Sequence, residues 1–336
     1  MLNELRQDPI SGEWVLFSTA RAKRPHPAGE MPFFQSKGEC FFEPERMAQQ
    51  EAPTAIYSHG QMVKDLSADW TTVVIPNKFP ALKHGVCGST HHIGPFTTAD
   101  ASGFHELVIT RDHDKSFAQF SDAETAEVIQ AYRDRHAEMT EDNCGEFISI
   151  IHNHGRLAGA SIYHNHSQII SLPMVPTTII RNLETSKKYF EATGKRIHDE
   201  LMAWEIAENK RIVYQNEQFI VVCPYVSQSP YEMKIFPKMA GSNFGNITDM
   251  EIPFLANALN VALKKLSTAL NDIDYVFFIN TAPLKKENQP GYDFYQWHLE
   301  INPRLSIDAG LELETNVIVN TVDPDEAAMI LRDTAI

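Results

Sequence analysis

The sequence lacks paired cysteines and long apolar runs, and each absence excludes a class of protein. Its four cysteines, Cys40, Cys87, Cys144 and Cys223, are scattered without a Cys-x-x-Cys pair, so we predict reduced thiols in a cytoplasm rather than a disulfide framework. No stretch approaches the roughly 18 consecutive apolar residues of a membrane span. The N-terminus shows no apolar core of an export signal. We therefore expect neither a membrane protein nor a secreted one.

The sequence also has too little positive charge to bind nucleic acid nonspecifically. It carries 29 Lys and Arg against 44 Asp and Glu, a formal net charge of −15, whereas such binding relies on basic residues that neutralise phosphates. A small nucleotide is still allowed, because a few local cations suffice for one diphosphate. Residues 21–24, Arg-Ala-Lys-Arg, form a basic cluster that fits either a solvated loop or a phosphate-binding one.

What is present is a globular composition and a repeated order of elements. The 336 residues, 43% of them hydrophobic, suggest two domains or one large one. The patterns predict a strand at 13–18 and an extended loop across 19–70, which is rich in Pro, Gly and polar residues. Strand, strand, helix, strand and strand then follow twice. In the first half these elements are 72–75, 105–110, 123–139, 147–152 and 167–172, and in the second half they are 218–222, 231–236, a helix ending at 266, 275–280 and 297–301.

The two halves share more than this order. Residues 105–109 align with 231–235, and Asn153 and Asn280 end corresponding strands. The residues around His166 line up with those around His298. We therefore predict an α+β fold of two related halves, residues 1–175 and 176–336. Each half should be an antiparallel sheet with a packed helix, related to the other by a pseudo-two-fold axis.

The segment 159–168, Gly-Ala-Ser-Ile-Tyr-His-Asn-His-Ser-Gln, carries the clearest chemistry. Alternate residues of a strand share one face, so His164, His166 and Gln168 should point the same way. A neutral imidazole is a competent nucleophile toward phosphorus. A preceding backbone carbonyl can fix its tautomer, and the Gln168 amide can stabilise charge on phosphoryl oxygens. The alternative is a pair of structural or metal-binding histidines. Gly155 and the small residues after it leave room for a phosphate near the backbone.

These residues resemble the active-site strand of the histidine-triad superfamily in its galactose-1-phosphate uridylyltransferase branch. That branch carries Gly-Ala-Ser, then His-x-His, one residue and Gln. Four further segments have counterparts in the family, in the same order along the chain. They are residues 5–14 together with 21–25, residues 76–82 of the nucleotide-pocket loop, residues 112–115 and residues 297–301.

The resemblance implies a role for each matching residue. His166 would become nucleotidylated and Gln168 would contact the transferring phosphoryl group. Ser161 and Asn153 would hold nonbridging phosphate oxygens, and Asn77 would lie near the ribose or the phosphates. Arg24, and Arg21 beside it, would reach the phosphates, which favours a functional basic cluster over a merely solvated one.

The resemblance also implies a structural zinc site. The family positions hold Cys40, Glu43, His113 and His164 in this sequence. A thiolate, a carboxylate and two imidazoles can form a tetrahedral zinc site, although carboxylate ligands make a site less selective for zinc. A free cysteine in a loop without metal is the alternative.

Some members carry a second metal site in the other half, and we predict that this chain has lost it. The expected Cys-x-x-Cys positions read Leu201 to Trp204, and the first His of the relatives' His-Trp-His is Gln296. His298 and Glu300 remain, so we expect them to have a structural or substrate-pocket role.

The sequence thus predicts an enzyme of carbohydrate metabolism that moves a nucleoside monophosphate from a nucleotide sugar to a sugar phosphate or to phosphate. Double displacement through nucleotidyl-His166 is expected, and the family activity is uridylyl exchange between UDP-glucose and galactose 1-phosphate. Two alternatives stay open, an ADP-sugar phosphorylase with the same chemistry and a nucleotide-binding protein without turnover. The tail at 311–320 looks more like the phosphorylase-like relatives. The resemblance also implies a homodimer whose active site borrows residues from the partner chain.

Overall fold

The structure is a computed structural model that describes residues 2–23, 33–66, 69–84, 89–142, 145–284, 291–305 and 309–336. The strands of this part of the chain are β1 (Asn3–Gln7), β2 (Trp14–Ser18), β3 (Ala55–Ser58), β4 (Gln61–Val63), β5 (Thr72–Pro76), β6 (Thr90–Ile93), β7 (Phe96–Ala99), β8 (Phe104–Thr110), β9 (Phe147–His154), β10 (His166–Leu172), β11 (Ile212–Gln215), β12 (Phe219–Val222), β13 (Met233–Pro237), β14 (Tyr275–Asn280), β15 (His298–Pro303) and β16 (Ile318–Asn320). The α-helices are α1 (Asp122–Glu141), α2 (Thr177–Thr193), α3 (Ile197–Glu208), α4 (Ile252–Leu270), α5 (Gly310–Thr315) and α6 (Pro324–Asp333).

One antiparallel sheet of 11 strands runs through the molecule, in the order β11-β12-β13-β15-β14-β9-β10-β8-β5-β3-β4. We expected one sheet in each half. The two sheets instead join where β14 pairs with β9, with Tyr275 opposite His154 and Phe278 opposite Ile151. The joining satisfies the backbone N–H and C=O groups that two open sheet edges would leave unpaired.

The register of this sheet confirms the pseudo-two-fold repeat. Gln168 pairs with Leu107 on one side and Ile151 on the other. Glu300 pairs with Lys234 and Phe278 in the same way. The alignment of residues 105–109 with 231–235 was wrong by one residue, because Leu107 corresponds to Lys234. His166 and His298 are the first residues of equivalent strands.

Helices α1 and α4 pack on one face of the sheet, and α2 and α3 contribute Ile179 and Met202 to apolar clusters on the other. Helix α1 begins at a capping box, in which the Glu124 N–H donates to Ser121 Oγ (3.2 Å) and the Ser121 N–H to Glu124 Oε2 (2.8 Å). It packs against α4 and against the sheet. The Tyr132 hydroxyl of α1 donates to Ser167 Oγ at 2.5 Å. Ser167 therefore faces α1 and α4, and His166 and Gln168 face away from these two helices.

The prediction of one long loop across residues 19–70 was wrong in part. A short hairpin, β3 and β4, lies within it and adds two strands to the edge of the large sheet. Its turn holds His59 and Gly60 at φ of 49° and 79°. Strands of four and three residues are too short to show a periodicity above the polar background.

The N-terminal strands contact the second half of the chain. β1, β2 and β16 form a three-stranded sheet, in which β16 runs parallel to β2. Arg6 donates to the Tyr225 carbonyl at 2.8 Å, and its guanidinium carbon lies 3.9 Å from the centroid of the Tyr225 ring. The division of the chain at residue 175 stays a prediction. No α-helix among the described residues is both long enough and apolar enough to cross a lipid bilayer.

Candidate active site

His166 presents one ring nitrogen for chemistry. Its Nδ1 lies 2.9 Å from the carbonyl oxygen of His164. A carbonyl only accepts, so Nδ1 carries the proton and Nε2 carries the lone pair. Burial lowers the pKa of His166 below its ordinary value, and the hydrogen bond to His164 offsets part of that shift. The ring is therefore neutral near pH 7, and no described group hydrogen-bonds its Nε2.

The backbone of His166 is held from the side of the sheet that α1 covers. His152 Nδ1 lies 3.0 Å from the carbonyl oxygen of His166 and 3.1 Å from Ser167 Oγ. Phe42 packs edge-on against the His166 ring, with 5.4 Å between centroids. The nucleophile candidate thus has little freedom to turn.

Gln168 lies two residues on, on the same face, and contacts a residue that sequence reasoning missed. Its Oε1 is 2.8 Å from His105 Nε2, and Asn77 Nδ2 is 3.1 Å from the same nitrogen. His105 Nδ1 accepts the backbone N–H of Ala81 at 3.0 Å. His105 pairs with Ile170, which makes it a diagonal neighbour of Gln168. Only the strand register could have revealed this contact, and it also places Asn77 beside Gln168.

The predicted phosphate-oxygen ligands lie around the turn that follows β9. Asn153 is half-buried and lines a cavity of about 140 Å³ together with His164. Gly155 and Gly159 take φ of 84° and 85°, a conformation that favours glycine. Ser161 is exposed after them, and no described contact joins it to His166. The phosphate contacts of Asn153 and Ser161 therefore stay predictions.

The two predicted arginines are placed differently. Arg21 belongs to a 3-10 helix, Thr19–Lys23, and makes no described hydrogen bond or ion pair. Arg24 lies outside the described residues.

The four predicted metal ligands do come together. One donor atom from each of Cys40, Glu43, His113 and His164 lies within 4.8 Å of all the others. His164 Nδ1 is 3.4 Å from Cys40 Sγ and 3.6 Å from Glu43 Oε1. His113 Nδ1 is 2.5 Å from the same carboxylate oxygen. His164 is fully buried and lies two residues before His166, the first residue of β10, and Phe42 contacts the rings of both histidines.

The surroundings of these four groups fit a divalent cation. His164 Nε2 is 2.6 Å from the carbonyl oxygen of Thr110, and His113 Nε2 is 2.8 Å from that of Gln35. Both Nε2 atoms therefore carry protons, and both Nδ1 atoms face the cluster, as second-shell contacts require of metal-binding histidines. The Phe42 N–H donates to Cys40 Sγ at 3.3 Å. Burial raises the pKa of the Cys40 thiol, and a bound cation would reverse that effect.

The second half holds a different constellation at the equivalent place. His298 Nδ1 is 3.3 Å from the Gln296 carbonyl oxygen, but its Nε2 lies 3.2 Å from the amide nitrogen of Asn280. Glu300 replaces the glutamine and pairs with Lys234 at 3.1 Å. Burial, with a smaller contribution from Lys234, lowers the pKa of His298 to about 3. His298 and Glu300 line a cavity of about 490 Å³ that neither His166 nor Gln168 lines.

Comparison with known proteins adds to this geometry. The family model of the galactose-1-phosphate uridyl transferase N-terminal domain matches residues 1–176, and that of its C-terminal domain matches residues 182–309. The chain is 32% identical to the ADP-glucose phosphorylase of Arabidopsis thaliana, over 99% of this chain and 93% of the relative. It is 28% identical to the galactose-1-phosphate uridylyltransferase of Thermotoga maritima, over 99% of both chains. A crystal structure of an A. thaliana ADP-glucose phosphorylase with bound ADP-glucose superimposes with a TM-score of 0.83, at 29% identity and full coverage of both chains.

Proposed function

The chain belongs to the galactose-1-phosphate uridylyltransferase family, and from this premise we propose that it transfers a nucleoside monophosphate from a nucleotide sugar through a covalent intermediate on His166. The observation that carries the proposal is the His166 ring itself. Its Nδ1 proton is held by the His164 carbonyl oxygen at 2.9 Å, and its Nε2 is left without a described partner. The structural counterpart His298 has its Nε2 beside the Asn280 amide instead.

The reaction divides into two in-line displacements at the α-phosphorus. In the first, the lone pair of His166 Nε2 forms the N–P bond, and the P–O bond to the sugar phosphate breaks, so that the sugar phosphate leaves with the electron pair. In the second, an oxygen of the acceptor phosphate forms the new P–O bond and His166 leaves as a neutral imidazole. The His164 carbonyl stabilises the positive charge that the ring carries between the steps. The Gln168 amide donates a hydrogen bond to the phosphoryl oxygens but does not transfer its proton to them.

The nucleotide-sugar donor and the acceptor are those of one of two reactions, for which the two relatives above are named. We propose uridylyl exchange between UDP-glucose and a hexose 1-phosphate such as galactose 1-phosphate, which is the activity that names the family. A second candidate is phosphorolysis of an ADP-sugar. The observation in its favour is the 32% identity to the A. thaliana ADP-glucose phosphorylase over nearly the whole chain. Both candidates use the same covalent intermediate and differ in nucleobase and acceptor.

Covalent labelling tests the shared chemistry. The protein is incubated with UDP-glucose or ADP-glucose labelled at the α-phosphorus, without an acceptor, and then quenched in alkali. We expect one donor to leave an acid-labile label on the protein, and His166→Gly to leave none while still binding that donor. His59→Gly is the matched control, because His59 is an exposed residue with a φ of 49° that glycine adopts freely. Absence of label with either donor would establish a binding protein without turnover.

A chase then identifies the acceptor. Labelled protein is mixed with galactose 1-phosphate, glucose 1-phosphate or inorganic phosphate, and the released nucleotide is separated. Release as a UDP-sugar supports the exchange reaction. Release as ADP by inorganic phosphate supports the phosphorylase and overturns the exchange.

Three finer features of the protein belong to the same proposal. The cation that Cys40, Glu43, His113 and His164 fit is proposed to be zinc, because a thiolate and two imidazoles favour it over harder cations. A cytoplasmic location is proposed on the free thiols of Cys40 and Cys223. A homodimer that completes each active site is proposed from the family resemblance. Sedimentation that gave a monomer at micromolar concentration would remove it.

A further inference from the structure

His105 is held in one tautomer by the backbone. The N–H of Ala81 donates to its Nδ1 at 3.0 Å. A backbone N–H cannot reverse its role, so Nδ1 carries no proton. A neutral imidazole has one ring proton, which must then be on Nε2. The nitrogen that faces the active-site strand is therefore a hydrogen-bond donor.

That donor requires an acceptor, and one of its two amide neighbours can provide it. The oxygen of Asn77 accepts the backbone N–H of Phe79 at 3.0 Å, so Asn77 turns its nitrogen toward His105, and that nitrogen only donates and cannot accept the Nε2 proton. The amide of Gln168, at 2.8 Å, is left to present its oxygen. The assignment of oxygen and nitrogen in Gln168 thus follows from a chain of contacts that begins at a backbone N–H, not from the shape of the amide.

We propose that His105 is a positioning residue that fixes the Gln168 amide with its oxygen bound and its NH₂ group free to donate to the transferring phosphoryl group. The proposal rests on the proposed function of Gln168. No described group accepts a hydrogen bond from the Gln168 nitrogen, which is the state that a phosphate-binding donor needs. If His105 were absent, the amide could turn over and direct its oxygen at the phosphoryl oxygens, where acceptor would face acceptor. The loop after β5 would thereby control an amide on β10.

Two substitutions separate the contacts of His105. At the same position, the amide of an asparagine side chain reaches about as far as the Nδ1 atom of histidine. The amide of a glutamine side chain reaches about as far as the Nε2 atom. His105→Asn keeps a partner for the Ala81 N–H and loses the donor to Gln168. His105→Gln keeps the donor and loses the loop contact. We expect His105→Asn to lower kcat tenfold or more with an unchanged dissociation constant for the nucleotide sugar, and His105→Gln to stay within about threefold of the wild-type kcat.

A double-mutant cycle shows whether His105 acts through Gln168. We expect His105→Asn to cost nothing further in a Gln168→Ala background, because the residue that it positions is already gone. Additive losses would overturn the proposal, and so would a His105→Gln variant as slow as His105→Asn. A purely structural role would instead follow the free energy of unfolding, which is measured for each variant.

Nitrogen NMR tests the positioning without any turnover. Protein labelled with ¹⁵N in histidine should show His105 as the Nε2–H tautomer, assigned by its absence from His105→Asn. The Nε2 shift should move in Gln168→Ala. A protonated Nδ1 would overturn the proposal whatever the enzyme activity. If the tautomer is as expected and no covalent label forms, the proposed function fails while the positioning stands.

Discussion

At the residue scale, His166 and His298 show how neighbours decide what a histidine can do. Both begin a strand, and both have Nδ1 near the carbonyl oxygen of the residue two positions earlier. The Nε2 of His298 lies beside the Asn280 amide, and a Lys234–Glu300 ion pair adjoins it. His166 instead has Gln168, whose amide carries no charge. Thus the same backbone arrangement leaves the histidine Nε2 without a described partner in one half and places it beside an amide in the other.

The charge at position 168 can be tested by an isosteric change. We expect Gln168→Glu to lower kcat by about 10²–10³ or more, since it removes one donor and adds a carboxylate that repels the phosphoryl oxygens. Donor binding should weaken as well, whereas Gln168→Ala should reduce mainly kcat. Steady-state rates and dissociation constants for both variants make the comparison. Near-wild-type turnover of Gln168→Glu would contradict a role at the phosphate.

The sequence was sufficient for some residues of the site and not for others. His166, Gln168 and the four candidate metal ligands lie in local patterns that match the family motif. His105 was missed because its importance depends on the pairing of β8 with β10, which puts it diagonal to Gln168. No spacing along the chain reveals a register across strands.

At the scale of elements, the turn after β9 depends on a glycine. A Cβ on Gly155 would lie 1.9 Å from Asp274 Oδ1, and Asp274 Oδ2 accepts the backbone N–H of Leu157 at 2.7 Å. Gly12 has a similar φ of 72° but nothing within 4 Å of its Cβ position. Substitution of Gly12 therefore tests backbone strain alone, whereas substitution of Gly155 tests backbone strain together with a steric clash.

Alanine at each position tests the distinction. We expect Gly12→Ala to lower the free energy of unfolding by about 1–2 kcal/mol, for the positive φ alone. Gly155→Ala should lose about 1–3 kcal/mol more, because Asp274 must also move. Urea denaturation of both variants measures the difference. Equal losses would show that Asp274 yields freely and does not hold the turn.

The candidate metal site brings together residues from three separate segments. Cys40 and Glu43 lie in the loop before β3, His113 follows β8, and His164 precedes β10. A bound ion would connect this loop to the ends of both strands. Its loss should therefore affect the order of the loop more than the core of the sheet.

Metal analysis and hydrogen exchange check this expectation. Protein purified without chelator should contain about one zinc per chain, and Cys40→Ser should lower that content sharply. Cys223→Ala is the control, because Cys223 is also buried but is not part of the cluster. Amides of residues 35–43 should exchange faster in Cys40→Ser than in Cys223→Ala. Full zinc content in Cys40→Ser would exclude Cys40 as a ligand.

Long elements were predictable from the sequence, and short ones were not. The pattern from residue 123 to 139 lies within α1, and the strands predicted at 105–110 and 275–280 match β8 and β14. The hairpin of β3 and β4, in contrast, forms because β5 offers β3 an edge. Its stability comes from pairing that no local window contains.

At the scale of the whole molecule, buried neutral histidines make stability depend on pH. Burial lowers the pKa of His136 to about 4 and is the main cause that lowers that of His298 to about 3. In an unfolded chain both would titrate near pH 6.5. Between these values the unfolded state binds protons that the folded state does not, so stability is greatest above pH 6.5 and is lost as the pH falls.

Denaturation between pH 8 and pH 5 measures this loss. Each such histidine should contribute a slope approaching about 1.4 kcal/mol per pH unit below pH 6.5. His136→Gln, which cannot take up a proton, should reduce the slope by about one histidine's share. A stability that is flat down to pH 5 would contradict the burial of these rings as neutral groups.

The joining of the two half-sheets into one was not predictable from the repeat. Two similar halves can pack in several ways, and the sequence of β9 and β14 shows only that each is a buried strand. Pairing of these two strands brings the halves into one hydrogen-bonded layer. The choice depends on which edges are left open once each half has folded.

The same seam determines how this protein could be divided. A cut at the exposed Gly194, where α2 ends, would give two polypeptides. The sheet of each would have an edge strand with unpaired backbone groups, β9 in one fragment and β14 in the other. Alone, each fragment would expose an adhesive edge and tend to aggregate. Expressed together, they carry complementary edges in a defined register and should reassemble through them. Activity of the two fragments expressed together, compared with that of each fragment alone, would then report on the reassembly.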